Sequence, residues 1–116
     1  MTTNCQIIAP TLPDGVHITR VASAFETLRK ELCEVFGGYI ETNGRGGWVD
    51  GDGELIVDEV AIFDIAIFTG AGRYGHNVNQ FAECNSHLRS IAITLRESLK
   101  QDCIFVRYGS GTVELV

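Results

Sequence analysis

Residues 59–68 read Glu-Val-Ala-Ile-Phe-Asp-Ile-Ala-Ile-Phe, a run rich in β-branched and aromatic side chains with apolar residues at both odd and even positions. A strand with one face in water alternates polar and apolar, whereas apolar residues on both faces point to an internal strand buried on both sides. Asp64 interrupts the run. The strand leads without a gap into Thr69-Gly70-Ala71-Gly72-Arg73-Tyr74-Gly75-His76, and Asn77 with Gln80 three positions later matches a capping-box helix start. Val78, Phe81, Leu88, Ile91, Ala92, Leu95 and Leu99 then recur at steps that form one helical face. Carried to Lys100 such a helix runs ~36 Å, longer than the strands cover. Ile93 lies off its stripe, so an overhanging end in contact with another copy is expected.

Working outward to the N-terminus, residues 6–9 form a short apolar strand stopped by Pro10, and Pro13-Asp14-Gly15 marks a turn. Val21, Phe25, Leu28, Leu32, Val35 and Phe36 have helical spacing. Ser23 with Glu26 matches a capping box, Thr19 offers a cap one turn earlier, and Gly37-Gly38 supplies the left-handed end. A strand over 39–42 follows. Asn43-Gly44-Arg45-Gly46-Gly47 reads as a turn back through Trp48-Val49, and Asp50-Gly51-Asp52-Gly53 as a second turn into 54–57 and the long strand. Residues 103–108, Gly109-Ser110-Gly111 and 112–116 form a terminal hairpin. The order β-α-β-β-(β)-α-β-β predicts one α+β domain over 1–116, ferredoxin-like (split βαβ), with a mostly antiparallel sheet and two helices on one face.

With 45% hydrophobic and 21% charged residues, the composition is that of a soluble globule. No apolar run is long enough to span a bilayer, and the N-terminus lacks the basic and apolar regions of a secretory signal, so a cytoplasmic location is expected. The formal charge of −6 is concentrated: residues 41–64 hold seven acids against Arg45 alone. An acidic surface without basic runs disfavours nucleic acid and suits a basic protein partner or simple solubility. Cys5, Cys33, Cys84 and Cys103 are dispersed with no C-x-x-C pair, and are read as buried, reduced thiols that react slowly.

Phe36-Gly37-Gly38, Gly47-Trp48-Val49-Asp50 with Gly53, the β-rich 60–68 segment and the strand following Gln101 resemble small ferredoxin-like proteins of bacterial and phage genomes. The resemblance spans most of the chain. It implies the fold and a phage origin, with the host cytoplasm as location, and brings no activity or catalytic residues.

Gly70, Gly72 and Gly75 fall at the G-x-G-x-x-G spacing. The helix cap Asn77 lies beyond the third glycine, however, and residues 103–108 end without an acid, so the dinucleotide fingerprint is incomplete. Two readings remain: a connector, or an anion site in which Gly70, Gly72, Arg73, Tyr74, Gly75, His76 and Asn77 meet a negative group at the helix N-terminus. Asp50, Asp52, Glu54, Asp58 and Glu59 lack the EF-hand spacing, with Leu55 and Ala61 where glycine and glutamate are required. His17, His76 and His87 complete no triad or metal motif, and no cofactor or metal is implied. Trp48 is read as a core plug or an interface anchor. Arg89 and Arg96, seven apart beside the apolar stripe, either lie over the sheet edge or bind an anion from another copy.

These residues lead to a homo-oligomeric, non-enzymatic accessory protein that binds a host protein or sequesters an anionic small molecule such as a nucleotide. The alternative is a small enzyme with its active site at a dimer interface, using Arg73, His76 and Asp64.

Overall fold

The computed structural model describes residues 2–68 and 81–116. Its elements are β1 (Thr2–Pro10), α1 (Ile18–Phe36), β2 (Ile40–Val49), β3 (Leu55–Phe68), α2 (Phe81–Ser98), β4 (Phe105–Arg107) and β5 (Val113–Leu115). The strands form one sheet in the order β2-β3-β1-β4-β5, every neighbouring pair antiparallel. The fold is α+β.

β3 is internal, pairing with β1 on one edge and β2 on the other. Its burial is one-sided, contrary to expectation. Ala61, Phe63 and Ile65 are buried, whereas Val60, Ile62 and Asp64 remain partly exposed. β1 alternates likewise: Cys5, Ile7 and Ala9 are buried, Gln6 and Ile8 only partly so. The buried sets join the apolar faces of α1 and α2 in one core, so the helices cover one face of the sheet and leave the other open. All six residues of the first helical stripe are buried, as are Leu88, Ile91, Ala92, Leu95 and Leu99 of the second.

α1 is capped earlier than either sequence cap implied, two residues before Thr19 and six before Ser23. His17 is the N-cap, its Nδ1 accepting from the Thr19 amide at 3.1 Å. The first helical turn is exposed, so apolar periodicity detects the helix only from Val21. At the other end Gly37 has φ 96°, and its N–H donates to the Cys33 carbonyl at 3.0 Å. A Cβ is disfavoured in that conformation. Gly37→Ala is therefore expected to destabilise the protein by about 1 kcal/mol, read as a shift in the urea midpoint at unchanged slope. The helices are tied together by Arg20, whose Nε donates to the Ser98 carbonyl at 2.7 Å at the end of α2.

The largest departure from expectation lies at residues 43–47. No turn forms there; β2 runs straight through, paired with β3 from Ile40↔Asp64 to Val49↔Leu55. Gly44 is close-packed within the strand, where an added Cβ would sit 3.2 Å from Ile62 Cδ1. The chain reverses at residues 50–53, where the Asp50 carboxylate accepts from the amides of Asp52 at 2.9 Å and Glu54 at 3.0 Å. β1 pairs with β3 only as far as Pro10↔Val60, so the distal part of the β2–β3 hairpin projects as an arm. The molecule's long axis is accordingly 47 Å against 29 and 21 Å for the others.

Candidate functional site

The glycine segment, with Gly70, Gly72, Arg73, Tyr74, Gly75, His76 and Asn77, lies outside the described residues. The remaining candidates sort by the face of the sheet they occupy. In the arm, strand alternation places Arg45, Val49, Leu55, Val57 and Glu59 on the helix side, past the reach of the helices. Arg45 and Glu59 are direct cross-strand partners, with Nε and Oε1 3.0 Å apart. Val49, Leu55 and Val57 are 64, 67 and 54% exposed. At the base of the arm the Thr11 amide donates to the Glu59 carbonyl at 3.0 Å. The loop that starts there carries Leu12, 72% exposed, and ends at Ile18, 73% exposed. On the helix side of the arm the Arg45–Glu59 pair thus shares its face with exposed Val49, Leu55 and Val57, which no described residue covers. Such surfaces mark contact sites.

On the opposite, open face Asp64 accepts from Gln6 Nε2 at 2.8 Å, and Trp48, half exposed, projects from the arm opposite Ile56. Trp48 is therefore no core plug. Of the helical candidates, Arg89 is engaged within the chain, its Nε 3.1 Å from Glu114 Oε1. Glu114 also accepts from the Tyr108 hydroxyl, which holds its carboxyl below the usual range. Burial, and then that bond, push Tyr108 up to about 12. This triad fastens β5 to α2. Arg96 lies beside Glu97, and Ile93, partly buried, packs against the edge of the core. Arg29 grips Glu41 through two bonds of 2.7 and 3.0 Å, locking β2 to α1 and lowering the Glu41 carboxyl. His87 stacks edge-on to Phe36 and faces Glu31 at 3.8 Å.

The cysteines divide, contrary to the expectation that all four are buried: Cys5 and Cys84 are, whereas Cys33 and Cys103 are exposed. Cys33 lies between core positions of α1 and Cys103 precedes the strand, so an apolar residue type gave the wrong side. Burial raises both core thiols, Cys84 to about 12 with a smaller contribution from neighbouring Cys5. Alkylation of the native protein is expected to modify Cys33 and Cys103 rapidly and Cys5 and Cys84 only on unfolding. Mass analysis of peptides from native and denatured samples reads this directly, and rapid native labelling of Cys84 would refute the placement.

Among the described residues no group of three or more histidine, cysteine or acidic side chains is arranged to hold a metal, and no helix is long and apolar enough to cross a membrane. In the sequence Glu59 opens the 59–68 strand and belongs to an acidic run, and neither marks it as a site. Its pairing with Arg45 depends on register, and the sole local clue was that Arg45 is the one base among seven acids.

No protein-family model and no curated protein matches the sequence. Among solved structures, the fold is similar to a phage SAM lyase in complex with S-methyl-5'-thioadenosine, with a TM-score of 0.62 and 18% identity over 97% of this chain and 84% of that one. At this identity the likeness is one of fold. It nonetheless overturns the expectation of a non-enzymatic binding protein, because the protein that shares this fold over 97% of the chain is an enzyme.

Proposed function

We propose that the protein is a small phage enzyme that cleaves S-adenosylmethionine, or a closely related sulfonium nucleoside, releasing S-methyl-5'-thioadenosine, with its active site completed between copies at the arm. The observation that carries this reading is the likeness in fold to the phage lyase over 97% of the chain. The sheet order β4-β1-β3-β2, with α1 joining β1 to β2 and α2 joining β3 to β4, supports the ferredoxin-like description. A host-cytoplasmic location follows from the phage reading.

The chemistry suits the arm. Forming the thioether breaks the bond between sulfur and the side-chain carbon of the amino acid, and both electrons go to sulfur, whose positive charge disappears. A lyase adds no water, and the balance closes when the substrate's own carboxylate oxygen bonds to that carbon as sulfur leaves. Opposite charges are lost together in this step, so a dry, apolar site favours it over bulk water. Val49, Leu55 and Val57 provide such a lining once another copy covers them. Glu59 accepts the substrate ammonium, which leaves the substrate carboxylate free to react. Arg45 holds Glu59 extended before the substrate arrives. Incubation of the purified protein with S-adenosylmethionine, followed by chromatography with mass detection, is expected to show S-methyl-5'-thioadenosine accumulating beyond one equivalent. An amount no greater than in buffer alone removes the reading.

A further inference from the structure

The open face of the sheet is nearly free of charge over its middle rows, and its two charges are opposite. Cross-strand register places Ile40, Asp64, Gln6, Arg107 and Val113 in one row, one from each strand. The adjacent row is Thr42, Ile62, Ile8, Phe105 and Leu115. Asp64 and Arg107 are separated by the Gln6 strand, so their backbones lie ~10 Å apart. Among the described residues neither has an ion-pair partner: Asp64 takes its bond from Gln6, and the Arg107 guanidinium rests 6.0 Å from the Phe105 ring centre. Around them Ile40 and Leu115 are 68 and 66% exposed, with Val113 also exposed. The chain as a whole carries −6, which opposes self-association through most of its surface. The middle rows of this face are the exception, because their one acid and one base lie on either side of a central strand and complement those of an identical face, while Asp58 lies farther out along the arm.

We propose that the open sheet face is an interface between copies of this chain, in which Asp64 of one copy pairs with Arg107 of the next and the Ile8, Ile62 and Phe105 row is buried between them. The apolar row supplies the driving force, and the charge pair sets the register. This assignment stands on the sheet face alone and does not depend on the reaction.

Light scattering and sedimentation of the parent protein at micromolar concentration are expected to show an oligomer. Arg107→Asp and Asp64→Arg, each placing like charges in contact, are each expected to raise the dissociation constant at least tenfold. The double variant Asp64→Arg/Arg107→Asp restores the pair in reverse and is expected to reassemble more tightly than either single change. Leu115→Glu, at an exposed position on the edge strand, is expected to weaken assembly with circular dichroism unchanged, which separates loss of assembly from loss of folding. A monomeric parent overturns the proposal, as do single variants that assemble like the parent or a double variant no tighter than the singles.

Discussion

Glu59→Gln is expected to raise KM for S-adenosylmethionine by about 10- to 150-fold, the worth of a hydrogen bond between charged groups at roughly 1.5–3 kcal/mol. The ammonium carries the same charge before and during bond breaking, so its contact with Glu59 is uniform binding. Its loss therefore falls on KM more than on kcat. Folding should be little affected, because the Arg45–Glu59 pair is largely exposed and such pairs contribute at most about 1 kcal/mol. Asp58→Asn is the matched control: it removes the same charge one position along β3 but on the opposite side of the arm. Equal effects from the two changes would point to the general acidity of the arm, and an unchanged KM in Glu59→Gln would remove Glu59 from the site.

What could be read without coordinates was what local periodicity encodes. A buried helical stripe repeats every three to four residues whatever it packs against, so the core faces of α1 and α2 were legible down to individual residues such as Leu28 and Leu95. Gly37 was legible for the same reason, since a left-handed helix end is a local requirement. The arm was not. Glycines within 43–47 look alike whether they bend the chain or give a neighbour room, and only the position of Ile62 across the strand decides for the second. The joint site of Arg45 and Glu59 depends on that decision, because a turn at 43–47 would put them in different strands in another register. The face of Asp64 was equally hidden. Its apolar neighbours fit an internal strand, but one-sided helix coverage is a property of the whole topology, and it makes Asp64 a surface group facing outward instead of a buried anomaly.

One-sided coverage also ranks the side chains of β3 by energy. Phe63, fully buried, stacks on Phe25 with ring centres 5.9 Å apart and meets Tyr39 edge-on at 5.7 Å, so α1, β3 and the entry to β2 converge on one ring. Phe63→Ala leaves a cavity that three elements cannot close together, and a loss of about 3–5 kcal/mol is expected. Domains of this size are stable by only about 5–15 kcal/mol, so much of the total is at stake. Phe63→Leu refills most of the volume and should cost about 1.5 kcal/mol or less. Ile62→Ala, one residue away on the open face, tests burial from the other side: its cost should grow with protein concentration if copies cover that face, while the cost at Phe63 is already present in the monomer. Urea unfolding at two protein concentrations separates these cases. A Phe63→Ala cost under about 1.5 kcal/mol would mean that the aromatic cluster is not the centre of the core.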